Sequence, residues 1–123
     1  MRVTADDYFR MFRHETDVQE LAPGEAVFEA GDPADCFYVV QSGSVRIHDG
    51  GRELELLGEG GIFGELALVD GRPRSASATA VGVAKVVPID ERRFQRLVQQ
   101  APYFAQAVMR VMAGRLRRND ARG

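Results

Sequence analysis

Between Val18 and Val87 the chain alternates short apolar stretches with turn-forming residues, and this spacing limits the folds open to it. The turn signals are Pro23-Gly24-Glu25, Gly31-Asp32-Pro33, Ser42-Gly43 and Asp49-Gly50-Gly51. Short strands that recur every eight to twelve residues or so are typical of a β-sandwich or jelly roll. We therefore predict a mainly β chain folded as a double-stranded β-helix, or jelly roll, over residues 17–89.

The period of the apolar residues places the strands within this roll. We expect them at residues 18–21, 26–29, 36–40, 44–48, 52–57, 75–81 and 84–87. The stretch 36–40 is continuously apolar, which favours a central strand. Asp49-Gly50-Gly51 predicts a tight hairpin. Ser42-Gly43 is expected to turn the chain between the third and fourth strands.

The N-terminal segment, residues 1–16, has the period of a helix. Its apolar residues predict a short helix over residues 4–14 and are Tyr8, Phe9, Met11 and Phe12. We expect this helix to pack against the roll, with partner binding as the alternative.

The pattern becomes helical again at Asp90. This residue is a good N-cap for a helix over residues 91–98. Pro102 suits the first turn of a second helix that extends over residues 103–118. The sequence therefore predicts two C-terminal helices within residues 90–118.

Composition narrows the class of protein. The 123 residues have a formal net charge of -2, which argues against a chain that binds nucleic acid through its overall charge. They are expected to form one domain, residues 1–123. The single cysteine, Cys36, is typical of a reducing compartment, and neither a membrane span nor a signal peptide is apparent. We predict a cytoplasmic protein.

The stretch from Gly60 to Ala80 has the residues expected of an anion site. Gly64 permits a tight turn or a close approach to a ligand. The residues after it suggest one or two helical turns, whose first amides would be unpaired and would favour an anion. Arg74 can grip a phosphate with two parallel hydrogen bonds, and Ser75 adds a hydroxyl and an amide. We therefore interpret this stretch as a phosphate-binding loop.

Glu65 is unexpected beside a phosphate, because a carboxylate repels an anion. It is consistent with the loop if it accepts hydrogen bonds from sugar hydroxyls, as acids do in other nucleotide sites. A phosphate beside a ribose hydroxyl indicates a nucleotide. From the residues alone, a plain surface turn remains the alternative.

The runs Phe63-Gly64-Glu65-Leu66-Ala67-Leu68 and Pro73-Arg74-Ser75-Ala76 resemble the phosphate-binding cassette of the cyclic nucleotide-binding domain family. The resemblance extends from about Asp17 to the C-terminus. It implies a β-roll in which Glu65 holds the ribose 2′-hydroxyl, Arg74 pairs with the cyclic phosphate, and backbone amides around Ala67 and Ser75 complete the cradle. Together with neighbouring apolar residues and an arginine of the last predicted helix, the candidate ligand-binding residues are Ile47, Phe63, Gly64, Glu65, Leu66, Ala67, Arg74, Ser75, Ala76 and Arg115.

The resemblance also assigns the two C-terminal helices to a hinged lid over the base. Arg115 lies about where related bacterial domains bring a lid arginine onto the base. The alternative is a solvated side chain, since arginines near a helix C-terminus are favoured by the helix dipole alone.

The resulting hypothesis is a regulatory sensor for a cyclic nucleoside 3′,5′-monophosphate, with ligand-driven movement of the last helix. The resemblance favours cAMP over cGMP, because family members that prefer cGMP tend to have a threonine where this chain has Ser75. The alternatives are a β-roll that serves interaction or dimerisation without a ligand, and a module for a different small effector.

We expect no enzyme activity, cofactor or metal. His14 and His48 are too isolated for a metal site, and no nucleophile has an evident base partner. No helix-turn-helix follows the last predicted helix, so direct DNA binding is not expected. The expected partner is the cyclic nucleotide, with a homodimer or an unidentified effector protein left open.

Overall fold

The structure is a computed structural model that describes residues 12–66 and 70–121. Most of the helix predicted over residues 4–14 lies outside these ranges. Within them the chain forms β1 (Gln19–Leu21), β2 (Ala26–Phe28), β3 (Cys36–Asp49), β4 (Arg52–Leu57), β5 (Ile62–Phe63), β6 (Ser77–Asp90), α1 (Glu91–Gln100) and α2 (Pro102–Ala121). The prediction of a mainly β chain with two C-terminal helices is confirmed.

The sheet is built on its two long strands, β3 and β6. They pair antiparallel from Cys36 opposite Asp90 to His48 opposite Ser77. Strand β6 also pairs with β1 and β2, while β3 pairs with β4 and β5, all antiparallel. This arrangement places β5, which leads into the loop around Gly64, directly beside the central strand.

The structure corrects the prediction that Ser42-Gly43 turns the chain. Strand β3 continues through this point with two register shifts, and β6 likewise joins two predicted strands into one. A Cβ on Gly43, which has φ +80°, would lie 2.4 Å from the Val83 carbonyl oxygen. The glycine therefore lets two strands approach closely at a bulge. The hairpin at Gly50 and Gly51 is confirmed, with φ of 57° and 85°.

Two apolar clusters lie on opposite faces of the roll, because successive residues of β3 point to opposite sides. The first cluster packs the helices onto the sheet and includes Phe12, Phe37, Val39, Ile89, Phe104 and Val108. The second lies inside the roll and includes Leu21, Tyr38, Val40, Val45, Phe63 and Ala80. The second cluster forms the floor under the predicted ligand site.

The helices begin where the sequence predicts. The Asp90 side chain accepts a hydrogen bond from the Arg93 amide at 2.8 Å, which caps α1, and Pro102 opens α2. In α2, Phe104 is fully buried, with ring centroids 5.4 Å from Phe12 and 6.4 Å from Phe37. These aromatic contacts hold α2 against the sheet. Across residues 12–66 and 70–121, neither helix is long and apolar enough to cross a membrane.

Candidate functional site

A cavity of about 380 Å³ opens between the roll and α2. Every predicted binding residue in the described ranges lines it, while Ala67 lies outside those ranges. The sequence analysis missed the remaining lining residues, which are Phe28, Asp70, Arg72, Pro73 and Leu116. The cavity lies within the usual size range of small-molecule sites, roughly 300–1,000 Å³.

Arg74 is fixed at the cavity by its main chain and by its side chain. Its amide donates to the Asp32 carbonyl at 2.9 Å, and its carbonyl accepts from the Gly31 amide at 2.8 Å. Its guanidinium donates from Nη1 to the Gly64 carbonyl at 3.0 Å and from Nη2 to the Cys36 carbonyl at 2.6 Å. These bonds hold the guanidinium in one orientation.

The charge of Arg74 has no counterion among the described residues. The residue is only 7% exposed, and no carboxylate within residues 12–66 and 70–121 forms an ion pair with it. Its Nε is buried and has no hydrogen-bond partner in that part of the chain. The guanidinium carbon lies 4.1 Å from the centre of the Phe28 ring, which offsets only part of the desolvation. A buried cation with an unused donor favours an anionic ligand.

Gly64 makes room for this guanidinium. Its φ is +79°, and a Cβ built there would lie 2.7 Å from Arg74 Nη1. A side chain at this position would therefore displace the arginine. The absence of a Cβ explains why this residue type stands here.

Glu65 is the buried acid of the site. It is 1% exposed, and its Oε1 accepts a hydrogen bond from Arg115 Nη1. Burial raises the pKa of Glu65, and the Arg115 charge lowers it in part, so that the net direction is upward. Glu65 thus provides an acceptor for a hydroxyl in the cavity that Arg74 also lines.

The raised pKa of Glu65 predicts a pH dependence of stability. The folded chain retains the Glu65 proton to a higher pH than the unfolded chain does, so ionisation above pH 4.5 destabilises the fold. Because glutamine does not titrate, we expect the unfolding free energy of the unsubstituted chain to fall relative to that of Glu65→Gln as pH rises through the folded pKa. Denaturant unfolding at several pH values measures this difference.

Exposed Glu59 provides the matched control, since Glu59→Gln removes a carboxylate outside the cavity lining. Its stability curve should run parallel to that of the unsubstituted chain. Parallel curves for Glu65→Gln as well would contradict the assigned direction.

Arg115 lies at the cavity, where α2 meets the roll. Besides Glu65, it donates to both carboxylate oxygens of Glu55, from Nε at 3.3 Å and from Nη2 at 3.2 Å, and to the Ile62 carbonyl at 2.8 Å. Its side chain is 15% exposed, so the solvated alternative is wrong. The sequence analysis missed Glu55, because the 60 residues between it and Arg115 leave no local signal.

The predicted helical turn after Gly64 is described only in part. The Asp70 amide donates to the Leu66 carbonyl at 3.2 Å, which is a helical i to i−4 bond. Residues 67–69 are not described, so the predicted amide contact at Ala67 stays a prediction. Ser75 lines the cavity and is an exposed residue. Across the described ranges, no three His, Cys, Asp or Glu side chains are grouped to hold a metal ion.

Comparison of the sequence with known proteins identifies a family and several relatives. The family model for the cyclic nucleotide-binding domain matches residues 18–101. A CRP-like cAMP-activated global transcriptional regulator of Mycobacterium tuberculosis is 35% identical over 102 residues, covering 79% of this chain and 46% of the relative. The cyclic AMP receptor protein of Thermus thermophilus is 38% identical over 102 residues, covering 79% and 47%. The chain spans less than half the length of these curated relatives.

Solved structures show the same fold. The catabolite activator protein of Thermus thermophilus superposes with a TM-score of 0.75 and 33% identity, covering 95% of this chain and 56% of that one. The cAMP-bound form of the EAL enzyme Bd1971 gives a TM-score of 0.61 and 34% identity, covering 85% and 29%. Its cGMP-bound form gives 0.62 and 34%, with coverage of 85% and 29%.

Proposed function

The chain belongs to the cyclic nucleotide-binding domain family, and from that premise we propose that it is a regulatory module for a cyclic nucleoside 3′,5′-monophosphate. The observation that supports this most directly is Arg74, a buried guanidinium without a counterion in the described part of the chain, at the wall of an open cavity. A singly charged ring phosphate would neutralise it. Solved relatives hold cAMP or cGMP.

The proposed pose assigns different residues of the cavity to the phosphate, the ribose and the base of the ligand. Arg74 and the backbone around Ser75 and Ala76 hold the phosphate, because they bring the cation and potential donors to one wall. Glu65 accepts from the ribose hydroxyl, and Gly64 permits the sugar to approach the backbone. The base lies against apolar side chains, for which Ile47 and Phe63 are the nearest candidates.

We propose cAMP as the favoured ligand. Ser75 has a hydroxyl but lacks the shape of the threonine that the family resemblance associates with cGMP. The cyclic nucleotide in the names of both bacterial relatives is cAMP. The titration below tests this preference directly.

Helix α2 is the proposed moving element. Its Arg115 and Leu116 line the cavity, so a ligand there contacts the helix directly. The ligand shifts the helix only as far as it binds one helix position better than the other. An effector protein or a second copy would then sense that position, and we propose no enzyme activity for the chain itself.

The rival proposals predict other features at the cavity. An interaction module without a ligand would have no use for a buried uncompensated cation, which costs stability. A different effector would need to be an anion that also donates to Glu65. The absence of direct DNA binding and the cytoplasmic location stay predictions from the sequence.

The test is a titration of the purified chain with cAMP and with cGMP, with 5′-AMP as the control. Calorimetry measures the binding, and thermal unfolding measures the stabilisation of the fold. At a hundredfold excess over its dissociation constant, a true ligand stabilises the fold by about 2.7 kcal/mol. We expect this for cAMP, less for cGMP at equal concentration, and little for 5′-AMP, whose phosphate is not part of a ring. Heat and melting curves unchanged by either cyclic nucleotide would refute the proposal.

A further inference from the structure

Three charged side chains from distant parts of the chain meet at one edge of the cavity. Glu55 on β4, Glu65 after β5 and Arg115 on α2 form this cluster, which we call the carboxylate clamp. Side-chain exposure falls from 34% for Glu55 through 15% for Arg115 to 1% for Glu65. The proposed function gives a role to Glu65, but it leaves Glu55 unexplained.

The contacts of Arg115 divide into two sets. Nε and Nη2 form a fork on the Glu55 carboxylate, and Nη2 also donates to the Ile62 carbonyl. A planar guanidinium held at two of its nitrogens cannot rotate freely. The remaining nitrogen, Nη1, is thereby directed at Glu65 Oε1. Glu55 thus fixes the plane in which Arg115 meets the buried acid.

The backbone of β4 turns Glu55 toward the site. Glu55 pairs with Ile47, which lines the cavity, while Glu53 pairs with the next residue, His48. Leu54 is therefore the extra residue of a bulge, and paired residues share a face of the sheet. Since adjacent residues of β3 face opposite sides, Glu55 lies on the cavity side and Glu53 on the other.

We infer that Glu55 is a positioning residue for sugar recognition: it holds Arg115 so that Arg115 binds one oxygen of Glu65 and orients the other toward the ribose 2′-hydroxyl. A carboxylate has acceptor capacity for both partners. Without the fork, Arg115 can leave Glu65, and the acid is no longer held in one orientation. The inference rests on the proposed function, because it concerns the same ligand.

The test compares cAMP with its 2′-deoxy analogue by calorimetry. A hydrogen bond to a charged acceptor makes the unsubstituted chain prefer cAMP by about tenfold or more. In Glu55→Gln we expect the ratio of the two dissociation constants to fall by at least about threefold. The change should come from weaker binding of cAMP, while the deoxy analogue binds as before. Glu53→Gln, which removes the same charge from the opposite face of β4, should retain the full preference.

A double-mutant cycle tests whether Glu55 acts through Arg115. Once Arg115→Met is in place, Glu55→Gln should change the ribose preference no further. A Glu55→Gln variant that weakens both ligands equally, or that keeps the full preference, would overturn the inference and leave the proposed function standing. An unsubstituted chain that binds neither ligand would overturn both. Circular dichroism of each variant checks that the fold is retained.

Discussion

Arg74→Ala is expected to lose most of its affinity for a cyclic nucleotide. The substitution removes the buried cation proposed to pair with the ligand phosphate, which costs about 2–5 kcal/mol. That loss corresponds to a dissociation constant higher by roughly thirtyfold to several thousandfold. Arg74→Lys should also bind weakly, because an ammonium cannot reproduce the planar donors now directed at the Gly64 and Cys36 carbonyls. Calorimetric titration with cAMP measures both effects.

Arg72→Ala provides the matched control. Arg72 also lines the cavity, but it is exposed, and its charge is therefore screened by water. Its loss should change the affinity far less than the loss of Arg74. If Arg74→Ala remained folded and bound cAMP as tightly as the unsubstituted chain does, the assignment of the phosphate to this residue would be wrong.

Phe104→Ala is expected to destabilise the fold by about 3–5 kcal/mol, a large part of the stability of a typical domain. Phe104 is 0% exposed and packs between α2 and the sheet, against Phe12 and Phe37. Removing the ring leaves a cavity at the contact that holds the last helix in place. Chemical denaturation monitored by circular dichroism should show a lower midpoint concentration of denaturant.

Tyr103, the residue before Phe104, provides a control that distinguishes the effect of burial from the effect of a substitution at this point of α2. Tyr103 lies in the same turn of α2 but is 43% exposed. Tyr103→Ala should change the unfolding free energy by no more than about 0.5 kcal/mol. Equal losses for the two variants would show that the packing of α2 does not depend on Phe104 as described.

Much of the candidate site could be predicted because its chemistry is local in sequence. Three of its residues, Gly64, Glu65 and Arg74, lie within one short stretch. Their residue types suggest a close approach of the backbone to a ligand, an acceptor for a ligand hydroxyl, and a hydrogen-bond donor to an anion. The structure brings them to one cavity. The fork between Glu55 and Arg115 could not be predicted in this way, because it depends on how β4 and α2 pack.

The fold was predicted well at the starts of the two C-terminal helices and less well within the long strands. Asp90 and Pro102 have conformational preferences of their own, which determine where the helices start. Gly43 interrupts the apolar pattern, but a glycine alone does not distinguish a turn from a bulge. That difference depends on the strand opposite, here the backbone at Val83. Phe28 likewise has the pattern of an ordinary strand residue, and only the folded chain places it beneath Arg74.

The pairing of Cys36 with Asp90 connects two parts of the molecule. The Cys36 carbonyl accepts from the Arg74 guanidinium, and the Asp90 side chain accepts from the first turn of α1. The guanidinium that faces the cavity and the N-terminal end of α1 are therefore attached to directly opposed residues of two paired strands. If the proposed helix movement occurs, a shift of this one residue pair would affect both, so coupling between them would need no chain of intermediate side chains.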